Sequence, residues 1–478
     1  MLWALRKDKD AAMIELHWKN ATAEVVGEPH GISPGEMDAA GEKASRACSA
    51  VLAQWDAGKL GYAVLPKRTD YLEQVLEAVR KHRSGTTDLV VLGIGGSALG
   101  SIALQTALKP VSYNLLSDSK RGGPRLFVLD NVDPALVHDT LALLGRRLKT
   151  TLFNVISKSG ETAETASQFM IVREMLRKRL GEGFHGRIVA TTDLEKGTLH
   201  DIAKADGYDM LPIPGDVGGR FSVLTPVGLF SAAMCGVNIS ALLAGAAKMA
   251  DKVRTPDWRR NPACVLAAVH YLMLTAKGKP IHVMMPYSNR LYGLADWYRQ
   301  LWAESLGKAK DRAGREVFAG ATPIKALGTT DQHSQMQLYR EGPHDKLVIF
   351  LETLKHPTDV TIPQVFKDVP GLAYLNKVRL SRLLAAEKLA TEYALAQSHR
   401  PSVSIRFEAI DEDSVGAFLF LYEFVTSLTG ELLDINGYDQ PAVELGKQAT
   451  FALLGRKGHE TLGDQIRPFA RIDKDYLL

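Results

Sequence analysis

The chain has 478 residues, of which 46% are hydrophobic and 23% are charged, and its formal net charge is +4 at pH 7. A composition of this kind is typical of a soluble globular protein with two or three domains, and it excludes disordered and fibrous classes. Because the net charge is small and the basic residues are scattered, charge gives no support for a nucleic-acid or membrane partner.

Cysteine usage and the N-terminus bear on the compartment. Cys48, Cys235 and Cys264 are too few and too widely spaced for a disulfide scaffold or a paired metal motif, as is typical of a reducing cytoplasm. Charged residues appear by Arg6, too early for a signal peptide, and no apolar run approaches the roughly 18 residues that a membrane span needs. We therefore expect a cytoplasmic protein.

Hydrophobic spacing predicts two α/β units. Residues 1–65 show helical rather than strand spacing and are predicted to be a helical lead-in. Strand-like runs alternate with helix-length segments in two groups, at 89–92, 126–130, 152–157, 188–192 and 210–213, and then at 281–285, 324–327, 347–351 and 403–407. An apolar helical region separates the groups, and helical patterns return after residue 418. The alternation predicts parallel sheets with helices on their faces.

The first strand-like run ends in Gly93, Gly95 and Gly96, followed by Ser97 and a helical pattern. Glycines let backbone amides approach a ligand closely, and a helix N-terminus presents free N–H groups at the positive end of its dipole. A phosphate is therefore the expected occupant. The same glycines also fit a loose dinucleotide fingerprint or a purely structural turn.

A second loop favours phosphate over a dinucleotide. Doubly wound sheets of five strands usually have the order 2-1-3-4-5, which places the loops after strands one and three side by side. The loop after the third strand carries Ser157, Lys158, Ser159 and Thr162, whose hydroxyls and cation suit a phosphate better than a capping box alone. A dinucleotide site needs an acidic residue about 20 positions after the glycines. Asp130 comes too late for that role, so a dehydrogenase is the less favoured alternative.

Further candidates lie in four later stretches. Arg220 follows two glycines and suits either an oxyanion-stabilising cation or an interdomain salt bridge. Gln300 and Glu304 stack at i, i+4 on one helix, although a solvated helix face would also explain Glu304. His333, in a polar loop after a strand, and Lys447, in the C-terminal helical pattern, are each compatible with ordinary structural roles.

Taken together and in order, these motifs resemble the phosphoglucose isomerase (glucose-6-phosphate isomerase) family. The matching stretches are 93–97, 157–159, 218–222, 302–308, 332–333 and 443–447. Each stretch is modest, but the ensemble is specific, because generic sugar-phosphate domains share only the phosphate loops. One departure is visible: Ala442 stands where the family usually has glycine.

The resemblance implies two αβα sandwich sugar isomerase (SIS) domains, each with a mainly parallel doubly wound sheet, plus helical N- and C-terminal segments. The implied bounds are 1–65 for an N-terminal segment on the second domain, 66–232 for the phosphate-binding first domain, 233–430 for the second domain and 431–478 for a C-terminal segment completing the active site. It also implies a homodimer without cofactor or metal that interconverts glucose 6-phosphate and fructose 6-phosphate, in glycolysis and gluconeogenesis, through a cis-enediolate.

The resemblance also implies residue roles that suit this chemistry. Glu304 would be the base that carries a proton between C2 and C1, and Arg220 would stabilise the enediolate. His333 of the partner subunit, paired with Glu164 and helped by Lys447, would open the sugar ring. The implied substrate contacts are Gly96, Ser97, Ser157, Lys158, Ser159, Thr162, Gln300 and Gln440.

Two alternative functions stay open. A sugar-phosphate-sensing regulator would use the same loops but has no need of Glu304, Arg220 and His333 around one ligand. A bifunctional phosphoglucose/phosphomannose isomerase would share the proton-transfer machinery, although such chains are usually shorter and lack some of these stretches.

Overall fold

The computed structural model describes residues 13–478. Its N-terminal part precedes the first sheet and contains one strand and four helices: β1 (Ile14–His17), α1 (Ala23–Val26), α2 (Pro34–Asp56), α3 (Gly61–Val64) and α4 (Thr69–His82). The start of α2 is fixed by a capping box, in which Ser33 accepts from the Glu36 amide and the Glu36 carboxylate accepts from the Ser33 amide.

The first sheet is fully parallel. Its strands are β2 (Asp88–Leu92), β3 (Arg125–Leu129), β4 (Thr151–Ile156), β5 (Ile188–Thr192) and β6 (Asp209–Pro212). The helices of this part of the chain are α5 (Gly96–Leu108), α6 (Asp118–Arg121), α7 (Pro134–Leu144), α8 (Ala163–Leu180) and α9 (Thr198–Asp206). The strand order is β3-β2-β4-β5-β6, which confirms the predicted order 2-1-3-4-5 and makes β2 and β4 neighbours.

Every residue of β2 is buried, because helices cover both faces of the sheet. Leu89 and Val91 pack with α4 and α5 on one face, whereas Val90 and Leu92 pack with α8 and α9 on the other. A strand buried on both faces reads as a continuous apolar run, which is why the sequence pattern located it. The arrangement is an αβα sandwich.

Three helices connect the two sheets: α10 (Pro226–Met234), α11 (Ile239–Lys252) and α12 (Pro262–Thr275). The second part of the chain contains β7 (Ile281–Pro286), α13 (Tyr292–Leu306), β8 (Lys308–Lys310), β9 (Glu316–Ala319), β10 (Thr322–Lys325), α14 (Met336–Glu341), β11 (Lys346–Lys355), α15 (Pro370–Ala373), α16 (Leu380–Gln397), β12 (Ser402–Ala409) and α17 (Glu412–Leu432). The chain ends with α18 (Glu444–Leu453) and α19 (Glu460–Ile466).

The second sheet has the order β1-β12-β11-β7-β10 and is parallel except for β1, which runs antiparallel to β12. It is also buried on both faces: Ile349 faces the main core with α17, and Val348 and Phe350 face a cluster with Tyr339 and Leu395. The chain therefore forms two αβα sandwiches, as expected from the sequence.

Two parts of the sequence-based assignment need correction. The segment predicted as a helical lead-in contains β1, a four-residue strand that is too short to produce a clear period and that forms because β12 offers an open edge. Residues 1–12 of that lead-in lie outside the described residues. The hairpin of β8 and β9 was also not predicted, because the two strands have only three and four residues and are largely exposed.

Helix α17 is the core of the molecule. Among residues 13–478 it is the one helix long and apolar enough to cross a membrane by length and composition, yet 89% of its apolar window is buried inside the protein. It packs against α11, α12 and α2. Burial of this degree accounts for its apolar composition as that of a core helix.

Two buried histidines lie beside this core, behind α13. The Nδ1 atoms of His270 on α12 and His282 on β7 are 3.0 Å apart, and the ring of Trp302 lies 4.4 Å from that of His270. Burial lowers the pKa of His282 to about 3, and burial with the neighbouring His282 lowers the pKa of His270. Both imidazoles are therefore neutral in the folded protein at pH 7.

This burial predicts acid lability. A histidine whose pKa is lower in the folded than in the unfolded protein takes up a proton on unfolding. The folded state is therefore fully stable with respect to this group above the unfolded pKa near 6.5, and it loses stability as the pH falls from there toward about 3. The parental protein should have a lower free energy of unfolding at pH 5 than at pH 7. Replacing His282 with Gln removes one such group, so we expect this difference to be about 2 kcal/mol smaller in the variant.

Urea unfolding at the two pH values measures this difference. The matched control is His138→Gln, which makes the same substitution at an exposed histidine and so reports any effect of the substitution itself. If His282→Gln keeps the full parental loss, the buried pair is not the source of acid lability.

Candidate active site

Arg220 lies at the centre of a polar cluster between the two sheets. It sits in a short 3-10 turn, Gly219–Phe221, and is only 2% exposed. Its guanidinium donates five hydrogen bonds of 2.6–3.3 Å, to Ser305 Oγ, Glu304 Oε1, Gln440 Oε1 and the carbonyls of Gly437 and Asp439. A buried guanidinium needs such a complete set of acceptors, because an unpaired buried charge is strongly destabilising.

Glu304 is held from two sides. Arg220 Nη1 lies 3.3 Å from Glu304 Oε1, and Gln300 Nε2 donates to Glu304 Oε2 at 3.0 Å. The Gln300 contact follows from the i, i+4 spacing on α13. The Glu304 side chain is 26% exposed, so it keeps access to solvent while both oxygens are oriented. The solvated-face alternative therefore does not describe Glu304.

Burial shapes the charge of this cluster. Burial lowers the pKa of Arg220, and the negative charge of Glu304 opposes that shift. Lys308, just after α13, donates to the carbonyls of Glu304 and Ser305, and burial with the nearby Arg220 charge lowers its pKa. Arg220 and Lys308 thus lie beside two carboxylates, those of Glu304 and Asp439, so the charges of the cluster are largely balanced and Arg220 is fixed in place.

The glycine loop after β2 lies against this cluster. Gly95 has a φ of +57°, and α5 begins at Gly96. A methyl group at Gly96 would overlap the carbonyl of Gly219, and a methyl group at Gly95 would press on the Gln300 amide. The N-terminus of α5, including Ser97, therefore shares one cleft with Arg220 and Gln300.

The loop after β4 is adjacent to the glycine loop because β4 pairs with β2. Ser157 Oγ accepts from the Gly160 amide at 3.0 Å, and Ser159 Oγ accepts from the Glu161 amide at 3.2 Å. Both hydroxyls shape the turn through their oxygens and keep their protons for donation to a ligand.

Two more candidates of this loop have clear positions. Thr162 is the N-cap of α8 without a capping hydrogen bond from its side chain. Lys158 donates to the Gly215 carbonyl at 2.6 Å, which ties the loop after β4 to the loop after β6. Thr162 and Lys158 therefore lie at the edge of the sheet where β2 and β4 end.

Three predicted site residues are not brought to the cluster within one chain. His333 is exposed after the turn Thr330–Gln332, and its imidazole forms no hydrogen bond or ion pair with any of residues 13–478. Lys447 is exposed on α18 and pairs with Glu444 at 2.8 Å. Glu164 lies in the first turn of α8, and in the described part of the chain it forms no ion pair with His333.

Several contacts of the cluster were not predicted as site residues. Ser305 accepts from Arg220, yet in sequence it reads only as the penultimate residue of a helix. The Gly437 and Asp439 carbonyls leave no side-chain signal, since every residue has a carbonyl. Ala442 lies in the turn Pro441–Val443 and does not have a positive φ, so a glycine is not required there.

Comparison with known proteins identifies the family. The family model described as "Phosphoglucose isomerase" matches residues 57–461. The chain belongs to the phosphoglucose isomerase family. It is 47% identical to the glucose-6-phosphate isomerase of Carboxydothermus hydrogenoformans, over 90% of this chain and 93% of that protein, and 45% identical to that of Rubrobacter xylanophilus, over 84% and 90%.

Solved structures agree with the fold. A hypothetical protein from Thermus thermophilus superposes with a TM-score of 0.82 at 35% identity, covering 93% of this chain and 100% of that chain. A glucose-6-phosphate isomerase from Chlamydia trachomatis gives a TM-score of 0.71 at 25% identity, covering 83% and 77%. The overall fold of this chain is thus shared with these two solved structures.

The five bonds of Arg220 predict a large stability effect. Arg220→Ala leaves Glu304 Oε1 and two backbone carbonyls without the hydrogen bonds that Arg220 donates, so we expect the free energy of unfolding to fall by about 3–5 kcal/mol. The control is Arg299→Ala on α13, because Arg299 is exposed and pairs with Asp296 at 2.7 Å; its cost should stay below about 1 kcal/mol. Equal losses in urea unfolding would contradict the assigned role of the buried guanidinium.

Proposed function

We propose that this protein catalyses the reversible isomerisation of glucose 6-phosphate to fructose 6-phosphate, as a member of the phosphoglucose isomerase family in glycolysis and gluconeogenesis. The observation that carries the proposal is the triad of Glu304, Arg220 and Gln300 beside the N-terminus of α5. A carboxylate oriented by a guanidinium and an amide, next to an anion-binding helix end, is what this reaction requires.

Glu304 carries the proton. An aldose-ketose interconversion removes a proton from C2 and returns it to C1, and one carboxylate on one face of the substrate can perform both transfers. The two contacts of Glu304 fix its oxygens without closing them off, since the side chain is 26% exposed. Arg220 supplies a fixed positive charge where the enediolate oxygens develop their negative charge, which lowers the barrier electrostatically.

The phosphate binds where the loops after β2 and β4 meet. The Gly96 amide, at the N-terminus of α5, and the Ser97 hydroxyl face this point from one loop. The donors of the other loop are Ser157, Lys158, Ser159 and Thr162. Gln300 and Gln440, which touch Glu304 and Arg220 respectively, contact the sugar. The phosphate and the reacting carbons then lie at opposite ends of one cleft.

A homodimer completes the site. His333 of the partner subunit enters the cleft, pairs with Glu164 and, with Lys447, moves the proton that opens the sugar ring. The exposed His333 in an isolated chain supports this arrangement. So does the C-terminal segment: α18 and α19 bury no residue, and Leu453, Leu454 and Phe469 are each at least 60% exposed. Exposed apolar surface of this extent marks a protein interface.

Location and domain bounds follow the same reasoning. We place the protein in the cytoplasm, because its cysteines, Cys48, Cys235 and Cys264, are free thiols buried in the fold. We retain 1–65, 66–232, 233–430 and 431–478 as the segments of the chain. The pairing of β1 with β12 supports an N-terminal segment that belongs with the second sheet.

Subunit complementation tests the activity and the shared site together. Glu304→Gln and His333→Ala should each be inactive as homodimers, because each lacks one group at both sites. After subunit exchange, each heterodimer contains one site with both groups intact. We expect about a quarter of the parental activity to return in an equimolar mixture, since half of the dimers are mixed and each has one working site.

A coupled assay on glucose 6-phosphate measures the recovery, with the parental protein as positive control and mannose 6-phosphate as the second substrate. An inactive parental protein would refute the isomerase assignment. An active parent without recovery after proven exchange would show that each chain builds its own site. Equal rates on both sugars would identify the bifunctional type of isomerase.

A further inference from the structure

We propose that Gln332, which is partly buried, and the buried Tyr287 and Thr391 form a polar anchor that positions His333 for ring opening. The inference rests on the proposed role of His333. The three residues come from three separate parts of the chain: the loop before α14, the end of β7 and the middle of α16. They are positioning residues, because they act on the reaction only through the placement of the His333 imidazole.

The anchor is a closed set of hydrogen bonds. Gln332 Nε2 donates to Tyr287 Oη at 2.6 Å and to Thr391 Oγ1 at 2.6 Å, and lies 3.1 Å from the Glu387 carbonyl. Tyr287 donates its hydroxyl proton to Thr391 at 2.9 Å, and Thr391 donates to the Glu387 carbonyl at 2.8 Å. Each hydroxyl proton has an acceptor, and such a satisfied buried network fixes a single arrangement.

Burial makes this network rigid. Tyr287 is 2% exposed and Thr391 is 6% exposed, so water does not compete for their hydrogen bonds. The ring of Tyr287 also lies against Gly328, where a methyl group would overlap it. Tyr287 therefore holds the His333 loop at two points, at its entry through Gly328 and at its tip through Gln332.

Asp331 and Gln332 hold the loop in different ways. Asp331 accepts from the Leu327 amide at 2.7 Å and from the Ser334 hydroxyl, so it shapes the loop internally. Gln332 instead reaches across to β7 and α16. His333 is the next residue, and its amide donates to the Thr330 carbonyl within the same turn, so the Gln332 side chain fixes where that whole turn lies against β7 and α16.

Placement matters for ring opening in particular. Proton transfer to a sugar oxygen requires an imidazole within hydrogen-bond reach, and a displacement of about 1 Å can reduce a rate by roughly 100-fold. Proton transfer at C1 and C2 belongs to Glu304, on a different element. Loss of the anchor should therefore slow reactions that begin with a closed ring and spare reactions of an open chain.

The test compares Thr391→Val with Thr391→Ser. Valine keeps the shape of threonine but removes the hydroxyl, whereas serine keeps the hydroxyl and serves as the conservative control. Two reactions are measured on the full dimeric protein: isomerisation of cyclic glucose 6-phosphate, and exchange of the C1 proton of 5-deoxyfructose 6-phosphate with D2O. The second substrate lacks the oxygen needed to form a furanose ring, so it requires no ring opening.

We expect Thr391→Val to lower the ratio of isomerisation to exchange by roughly 10-fold, with Thr391→Ser close to the parent. Tyr287→Phe should lower the same ratio. A variant that is partly unfolded loses both reactions in proportion, so the ratio separates positioning from stability. An unchanged ratio in Thr391→Val, whether both rates fall in proportion or neither rate changes, would overturn the proposed anchor.

His333→Ala separates this inference from the proposed function. If His333→Ala lowers the ratio and Thr391→Val does not, the anchor is wrong and the role of His333 stands. If His333→Ala leaves the ratio unchanged, the proposed role of His333 is wrong, and the anchor fails with it.

Discussion

The burial of one guanidinium constrains much of this structure. Arg220 stands between the two sheets, and its five hydrogen bonds end on α13 and on residues 437–440. A charge that is 2% exposed can be kept only if all of these acceptors stay in place. The turn that carries Arg220, the helix that carries Glu304 and the start of the C-terminal segment are therefore held as one unit.

This constraint also prepares the site for chemistry. In the absence of substrate, Glu304 balances part of the charge of Arg220 and is oriented by it. In the proposed reaction, the same guanidinium stabilises the enediolate oxygens without moving, and fixed dipoles and charges of this kind lower a barrier more effectively than mobile ones. The glycines at the start of α5 allow the loop after β2 to approach this cluster closely. In the proposed mechanism, phosphate binding and catalysis thus depend on the same rigid group of elements.

Sequence patterns predicted the helices and strands around Arg220 better than they predicted the contacts between them. The strands of the first sheet and their order were predictable, because strands buried on both faces leave continuous apolar runs. β1 and the β8–β9 hairpin were missed, since strands of three or four residues depend on an available edge rather than on their own pattern.

For the site, the motifs indicated Arg220, Glu304, Gln300 and Gln440, which the fold does bring together. The carbonyl acceptors of Arg220 were not predictable, because a backbone carbonyl has no sequence signature. Gln332 was noted only as the neighbour of His333, and its anchor to Tyr287 and Thr391 joins residues far apart in the chain. Contacts of this kind depend on tertiary packing, which spacing along one chain does not encode.

The most direct test of Glu304 as the catalytic base is proton exchange at C1 of fructose 6-phosphate in D2O. The exchange is followed by NMR in the parental protein and in Glu304→Gln. Glutamine keeps the size of the side chain and its hydrogen-bonding reach but is not a base. We expect exchange in the parent and a loss of at least about 100-fold in the variant, because Glu304→Gln removes the general base. Exchange at the parental rate in Glu304→Gln would show that Glu304 is not the base.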